Sequence, residues 1–364
     1  MSGGDPAGGV APERRPLNIL YAADMGGDAA SSYRAIALER LGHRVVRLDS
    51  GSYALRNPLL GKVAFRMAAG PHAQRLNRDL LALARAEQPD IFWADKLLLL
   101  HPRTLRAMEE IGIATVSYMI DNPFGPRRDP GWRLYMKCLP LFDLHVQQRD
   151  ASFVQYRERG ARNVMKVLIG FEPTIHFPAP VPMMDSSRTR EVSFIGSPYD
   201  DRAQILMRLG DAGLPVTISG NERAWRRALS PGAFTRMFRD GELYGPQYQE
   251  AIWRSRINLS FVTKSNQDEV AQKSFEIAGC GAFLMAERSD GHLLTFKEDE
   301  EAVFFSDTAD LIEKIGRFLP NEAARNRIAA AGRARAVRDG YDNDSQVRLI
   351  LDRVESILAA RRRL

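Results

Sequence analysis

The chain has 364 residues, 45% of them hydrophobic and 26% charged, the balance of a soluble globular protein. Its 51 lysines and arginines against 45 acidic residues leave a net charge of +6, which fits an acidic small ligand and a solvated surface equally well. No helix-turn-helix, zinc-finger or RNA-motif signature accompanies that charge, which argues against a nucleic-acid partner.

Length favours two domains, since single cores stop growing beyond ~250–300 residues. The basic excess is spread out, with small clusters at Arg127 and Arg128, at Arg226 and Arg227, and at residues 361–363. No stretch reaches the ~20 consecutive apolar residues of a transmembrane span, so any membrane contact should be peripheral. Residues 1–16 are rich in Gly, Ala and Pro without an apolar centre; they are expected to form a disordered tail, not a signal peptide or anchor. Cys138 and Cys280 are the only cysteines. They read as reduced core thiols of a cytoplasmic protein, too few to build a zinc site.

Residues 17–22 (LNILYA) read as a buried strand, followed by a loop with Gly26 and Gly27 and a helix with Tyr33, Ile36, Ala37 and Leu41 on one face. Gly42 stops the helix and residues 45–48 form the next strand, the opening unit of a parallel α/β sheet. The loop is not GxGxxG, which counts against a nicotinamide or flavin enzyme. Residues 57–86 carry two helical patterns with Pro58 and Pro71 at their starts. Residues 90–94 (DIFWA) are a strand whose carboxyl end carries Asp95 and Lys96, the edge where ligands collect in open α/β sheets. Asp95 can contact substrate there or cap the next turn. A crossover helix (102–111) leads to a strand (114–120) ending in Asp121-Asn122-Pro123. The proline turns the chain and aims Asp121 at the same edge, as a general base or as an Asx-turn. A helix at 131–139 precedes a strand at 144–146, in which His145 reads as a core residue. A helix at 151–159, capped by Asp150, and a strand at 164–169 complete this half.

Residues 170–181 (GFEPTIHFPAPV) read as a proline-stiffened linker. The second half repeats the plan: strand 191–195, loop Gly196-Ser197-Pro198, helix 201–209, strand 214–219. That loop and helix start can offer backbone N–H groups to a phosphate. Arg202 sits in the helix's first turn, against the dipole preference, for an anionic ligand or for a salt bridge with Asp200 or Asp201. A helix at 247–254 and a strand at 256–262 follow, with Lys264 just past the strand. Residues 267–292 read QDEVAQKSFEIAGCGAFLMAERSDGH. Asp268 stands where a helix N-cap would, Gly279 and Gly281 end the helix, and residues 282–286 form a short buried strand. Glu276 lies among apolar neighbours before the glycine turn. It is either a bidentate acceptor for two sugar hydroxyls or a carboxylate paired with Lys273. A helical turn (291–296), a strand (302–305) and helices at 307–319 and 322–337 follow, the last expected on the outside. Asp342 and Asp344 form an Asp-x-Asp, but they precede a helix (345–359) and no buried strand delivers them, so they read as helix caps and not as a metal site.

SFEIAGCGAFLMAER at 274–288 resembles the sugar-nucleotide motif of two-Rossmann-domain (GT-B) glycosyltransferases, and within them the CgeB-like (spore maturation protein) group. ALERLGHRV at 37–45 is similar to that group's start, and the linker GFEPTIHFPAPV resembles its hinge, a Gly-x-Asp/Glu segment ending in Phe-x-Pro. The resemblance implies an α/β protein of GT-B architecture, two Rossmann-like parallel-sheet domains facing across a cleft. The expected division is an acceptor domain at 17–170, a linker at 171–190, a nucleotide-sugar domain at 191–340 and a last helix within 341–364 that crosses back. The implied donor is a nucleoside diphosphate sugar with Glu276 on its ribose; the acceptor is unspecified. Arg202, Lys264, Gly196 and Ser197 are expected to stabilise the diphosphate without a metal or cofactor, and Gly26 is grouped with these binding candidates. Asp121 and Asp95 are the candidate catalytic carboxylates. Retaining members often have a Glu eight residues before the ribose carboxylate; here Asp268 fills that slot, which leaves the stereochemical outcome open. A sugar-nucleotide epimerase and a non-catalytic nucleotide-sugar-binding protein on the same scaffold are the alternatives.

Overall fold

The computed structural model describes residues 15–26, 30–55, 57–67, 70–125 and 131–361. The expectations for residues 1–14, Gly27, Arg127, Arg128, Arg362 and Arg363 lie outside them. The first lobe runs β1 (Asn18–Ala23), α1 (Ala30–Arg40), β2 (Arg44–Asp49), α2 (Pro58–Met67), α3 (Pro71–Glu87), β3 (Ile91–Asp95), α4 (Pro102–Glu110), β4 (Ala114–Tyr118), α5 (Trp132–Cys138), β5 (Leu144–Gln147), α6 (Asp150–Glu158) and β6 (Val164–Lys166). The second runs β7 (Arg190–Ile195), α7 (Arg202–Asp211), β8 (Val216–Ser219), α8 (Glu222–Ala228), α9 (Pro231–Met237), β9 (Phe238–Asp240), α10 (Gly245–Trp253), β10 (Ser255–Ser260), α11 (Gln272–Gly279), β11 (Leu284–Glu287), α12 (Asp290–Thr295), β12 (Val303–Phe305), α13 (Thr308–Phe318) and α14 (Glu322–Arg338), with α15 (Asn343–Arg361) last.

Two six-stranded sheets result, ordered β2-β1-β3-β4-β5-β6 and β12-β11-β10-β7-β8-β9, with parallel pairing such as β1 to β3 and β7 to β10. Strands of this kind are covered on both faces by crossover helices, so they read as unbroken apolar runs; all five residues of β3 and all five of β4 are buried. Each sheet reverses its order once, between β1 and β3 and between β7 and β10. The loops leaving the carboxyl ends at such a reversal diverge and open a crevice. This is the GT-B architecture expected from the sequence.

α15 returns to the first lobe, where Val347, Ile350, Leu351 and Val354 join the core around Tyr21, Trp93 and Tyr118. Its entry is tied to the linker: the Phe171 N–H donates to the Tyr341 carbonyl (3.1 Å) and the Asn343 N–H to the Phe171 carbonyl (2.9 Å). Asp342 caps α15 through the Ser345 N–H and Oγ (2.9 and 2.8 Å), while Asp344 pairs with Arg40.

Four local expectations are corrected. α1 buries Arg34, Ala35, Ala37 and Leu38 and leaves Ile36 exposed, because its buried face is set by an ion pair and not by its largest apolar residues. α6 takes Arg149 as N-cap, and Asp150 instead pairs with Lys166. α11 starts after Ala271, not at Asp268. α14 is wedged inward, burying Ala324, Arg325, Ile328 and Gly332; its Arg325 guanidinium is satisfied by the Phe318 carbonyl (2.5 Å) and the Asp185 carboxylate. The short elements α8, α9 and β9 carry too few buried residues to show as periodic patterns.

Candidate functional site

α11 is packed onto the linker, and Gly279 permits the approach: a Cβ there would lie 2.8 Å from the Phe171 ring. This places Glu276 on the wall of a cavity of about 220 Å³ between the carboxyl ends of the second sheet, the linker and α1. Gly196, Ser197, Gly220 and Asn221 line one side, from the loops after β7 and β8; Tyr244, Tyr248, Lys273 and Glu276 line another; His176 and Tyr33 come from the linker and the first lobe. The two glycine loops are in backbone contact, since a Cβ on Gly220 would meet the Gly196 carbonyl at 2.2 Å. Only glycine tolerates both that approach and the φ of +149° found there. The Trp225 indole N–H holds the same carbonyl at 2.8 Å.

Glu276 is positioned by a short relay. The Tyr248 hydroxyl donates to Glu276 Oε2 at 2.5 Å, and Lys273 Nζ donates to that hydroxyl at 2.8 Å, with its ammonium 4.6 Å from the ring centroid. Burial pulls Lys273 below the ordinary lysine range although Glu276 opposes this. Burial and the adjacent carboxylate hold the Tyr248 phenol well above its ordinary value, so it remains a donor at neutral pH. Lys273 thus reaches Glu276 through Tyr248 and not by direct pairing. Among the described residues no hydrogen bond reaches Glu276 Oε1. His176 Nδ1 accepts the Glu172 N–H (3.0 Å), so the neutral ring carries its proton on Nε2. The ring stands edge-on to Tyr33 and to Tyr248, 6.4 and 5.9 Å between centroids, and burial lowers its pKa.

Of the residues singled out in the sequence, Glu276, Gly196 and Ser197 meet in this cavity. Arg202 does not line it. Its guanidinium is buried and donates to the carbonyls of Ser197 (3.3 Å), Phe261 (3.3 Å) and Val262 (3.2 Å) and to Thr263 Oγ1 (2.9 Å). Arg202 therefore ties the loop after β7 to the end of β10. Lys264 is half exposed between Asp201 (2.8 Å) and Glu287 (2.9 Å), off the cavity wall. Gly26 is exposed, its N–H on Asp24 Oδ1 at 3.1 Å, and is also outside the lining.

Asp95 is corrected outright as a catalytic candidate. Its carboxylate is 2% exposed and fully engaged by Arg34 (Nε 2.6 Å, Nη2 3.0 Å) and the Tyr21 hydroxyl (2.5 Å). No substrate group reaches it there. Asp121 is one-third exposed and pairs with Lys96 Nζ at 2.6 Å. Asp268 is bound by Arg149 and by Asn266 Nδ2 (2.9 Å), part of a clasp between the lobes. Asn122 donates from its N–H to Asn266 Oδ1 (2.9 Å) and from Nδ2 to Gln267 Oε1 (2.7 Å). Arg149 Nε reaches the Asn266 carbonyl (2.9 Å), and Lys166 Nζ reaches Glu269 (2.6 Å). Tyr248, His176 and Arg149 carry no local sequence signal; Tyr33 was visible only as a helix-face residue and Lys273 only as a neighbour of Glu276.

Residues 202–352, from α7 into α15, match the family described as Glycosyl transferase-like. No curated protein matches the chain. Among solved structures, the chain is similar to HepE of Anabaena, crystallised in complex with UDP: 15% identity, TM-score 0.61, 93% of this chain and 100% of that one covered. Sucrose-phosphate synthase from Thermosynechococcus elongatus superposes with a TM-score of 0.67 at 11% identity, covering 95% of this chain and 100% of that one. A UDP-forming α,α-trehalose-phosphate synthase from Burkholderia xenovorans gives 0.60 at 16% identity, covering 94% and 99%. At such identities the likeness establishes the two-lobed fold.

Proposed function

We propose that the protein is a glycosyltransferase of the CgeB-like group that moves a sugar from a nucleoside diphosphate sugar to an acceptor, without a metal. The observation that carries this reading is Glu276 on the wall of the cavity between the lobes, with Oε2 held by Tyr248 and Oε1 reached by no hydrogen bond among the described residues. A carboxylate so placed accepts both hydroxyls of a ribose. Support comes from the Glycosyl transferase-like match and from a structural neighbour crystallised with UDP and with UDP-glucose.

As the sugar–phosphate bond breaks, negative charge grows on the diphosphate, and donors fixed in advance stabilise it at no reorganisation cost. The geometry favours the Ser197 N–H of the loop after β7, since the Gly196 N–H is taken by the Ser219 carbonyl (2.9 Å), and the ammonium of Lys273, the only lysine or arginine among the described residues lining the cavity. Arg202 acts through the loop it holds. Asp121 is proposed as the acceptor-side carboxylate. A binding protein without turnover is the second reading, favoured by the commitment of Asp121 to Lys96 and of Asp95 to Arg34. A cytoplasmic setting is proposed from the buried free thiols Cys138 and Cys280; no described helix is long and apolar enough to cross a membrane.

A thermal-shift panel of nucleoside diphosphates and their sugars, followed by assay of nucleotide release with candidate acceptors, tests the reading. At least one nucleotide should raise the melting temperature, and Glu276→Ala should abolish the shift while leaving the unliganded melting temperature unchanged. An undiminished shift in that variant removes Glu276 from the site. Binding without transfer or hydrolysis would favour the second reading.

A further inference from the structure

Four described apolar side chains of α2 stand in solvent. Leu59, Leu60, Val63 and Met67 are 73%, 59%, 59% and 67% exposed. At about 100° per residue, these four positions fall within an arc of roughly 100° on the helix surface. Single exposed apolar residues are ordinary, but four aligned on one short helix are not. The surrounding sequence is one-signed: residues 50–78 contain Arg56, Lys62, Arg66, Arg75 and Arg78 and no Asp or Glu. Exposed Arg66 flanks the arc by its helical position, and Arg75 and Arg78 are 71% and 73% exposed at the start of α3, sharing the single carboxylate of Asp79.

We infer that α2 is a docking helix for an anionic lipid surface. An apolar stripe flanked by arginines suits a helix lying in the plane of the headgroups, where the stripe enters the acyl boundary and the cations meet phosphate. Ten residues make a helix of about 15 Å, enough for an interfacial contact and far too short to span. The place in the fold gives the contact a use. β2 is the edge strand of the first sheet, and α2 follows from its carboxyl end, the edge that faces the cleft. Docking through α2 brings the cleft mouth to the lipid surface, where a lipid-borne acceptor is within reach. The surface assignment does not depend on the transferase reading, and its test contains no nucleotide.

Co-sedimentation of the full chain with phosphatidylcholine vesicles, with and without about one-third phosphatidylglycerol, decides the matter. Binding should appear with the anionic vesicles, weaken in high salt, and drop by about tenfold or more in the double variant Leu59→Gln, Val63→Gln and in Arg66→Glu. Both changes are on the surface, so the melting temperature should stay at its wild-type value. Absence of binding to anionic vesicles, or equal binding by the variants, overturns the proposal. A concentration-dependent dimer that the double variant loses, without vesicle binding, assigns the face to a second copy and also overturns it.

Discussion

Asp95 and Arg34 are 2% and 3% exposed, and removing one partner strands the other charge in the first lobe. Burial works against the guanidinium, but Asp95 and the flanking tyrosines raise Arg34 above its ordinary range, and the cation also lies 4.2 Å from the Tyr118 ring centroid. Asp95→Ala should therefore cost about 3–5 kcal/mol of stability in urea unfolding. A variant as stable as wild type that loses transfer would return Asp95 to the active site. From sequence alone Asp95 and Asp121 look alike, since each ends an apolar strand. What separates them is an arginine 61 residues away from Asp95, which no local spacing announces. Glu276 was legible for the opposite reason: its helix, its glycine turn and the next strand are contiguous. The tyrosine that holds it, 28 residues upstream, was not.

At the scale of elements, β5 and α12 each bury a histidine. His145 Nε2 donates to the Leu139 carbonyl (2.8 Å), and His292 lies between the Glu287 carbonyl, to which its Nδ1 donates (2.8 Å), and Ser274 Oγ (2.8 Å). Burial pushes both from 6.5 down to about 4. Between those values the unfolded chain binds more protons than the folded one, so stability rises with pH across that window. It should be complete above about pH 6.5 and fall toward pH 4 by about 3 kcal/mol per histidine. Denaturant titrations at pH 7 and 4.5 measure this, and replacing His145 by Asn and His292 by Gln should flatten the difference. An unchanged pH slope in the double variant would contradict the assignment. Most elements could be read in advance, because parallel strands are continuous apolar runs and Pro58, Pro71, Gly42 and Gly281 punctuate the helices. The buried face of α1 and the inward seat of α14 could not, since both are set by buried arginines whose partners lie in other elements.

Across the whole molecule, two copies of strand, loop, helix and strand at 18–49 and 190–219 made the two-lobed plan legible. The clasp between the lobes was not, because its pairs are far apart in sequence: Arg149 and Asp268 by 119 residues, Asn122 and Gln267 by 145. That clasp and the return of α15 hold the second lobe's glycine loops and Glu276 opposite Tyr33, and the cavity exists only because both lobes and the linker contribute to it. Calorimetric titration of UDP and UDP-glucose into the wild-type chain and into Glu276→Gln tests this most directly. One site per chain is expected, weakened roughly 100-fold when the carboxylate becomes an amide, as befits two charge-assisted hydrogen bonds. Equal affinity in the two proteins, or no heat from either ligand or any other nucleoside diphosphate with the wild type, would contradict the account.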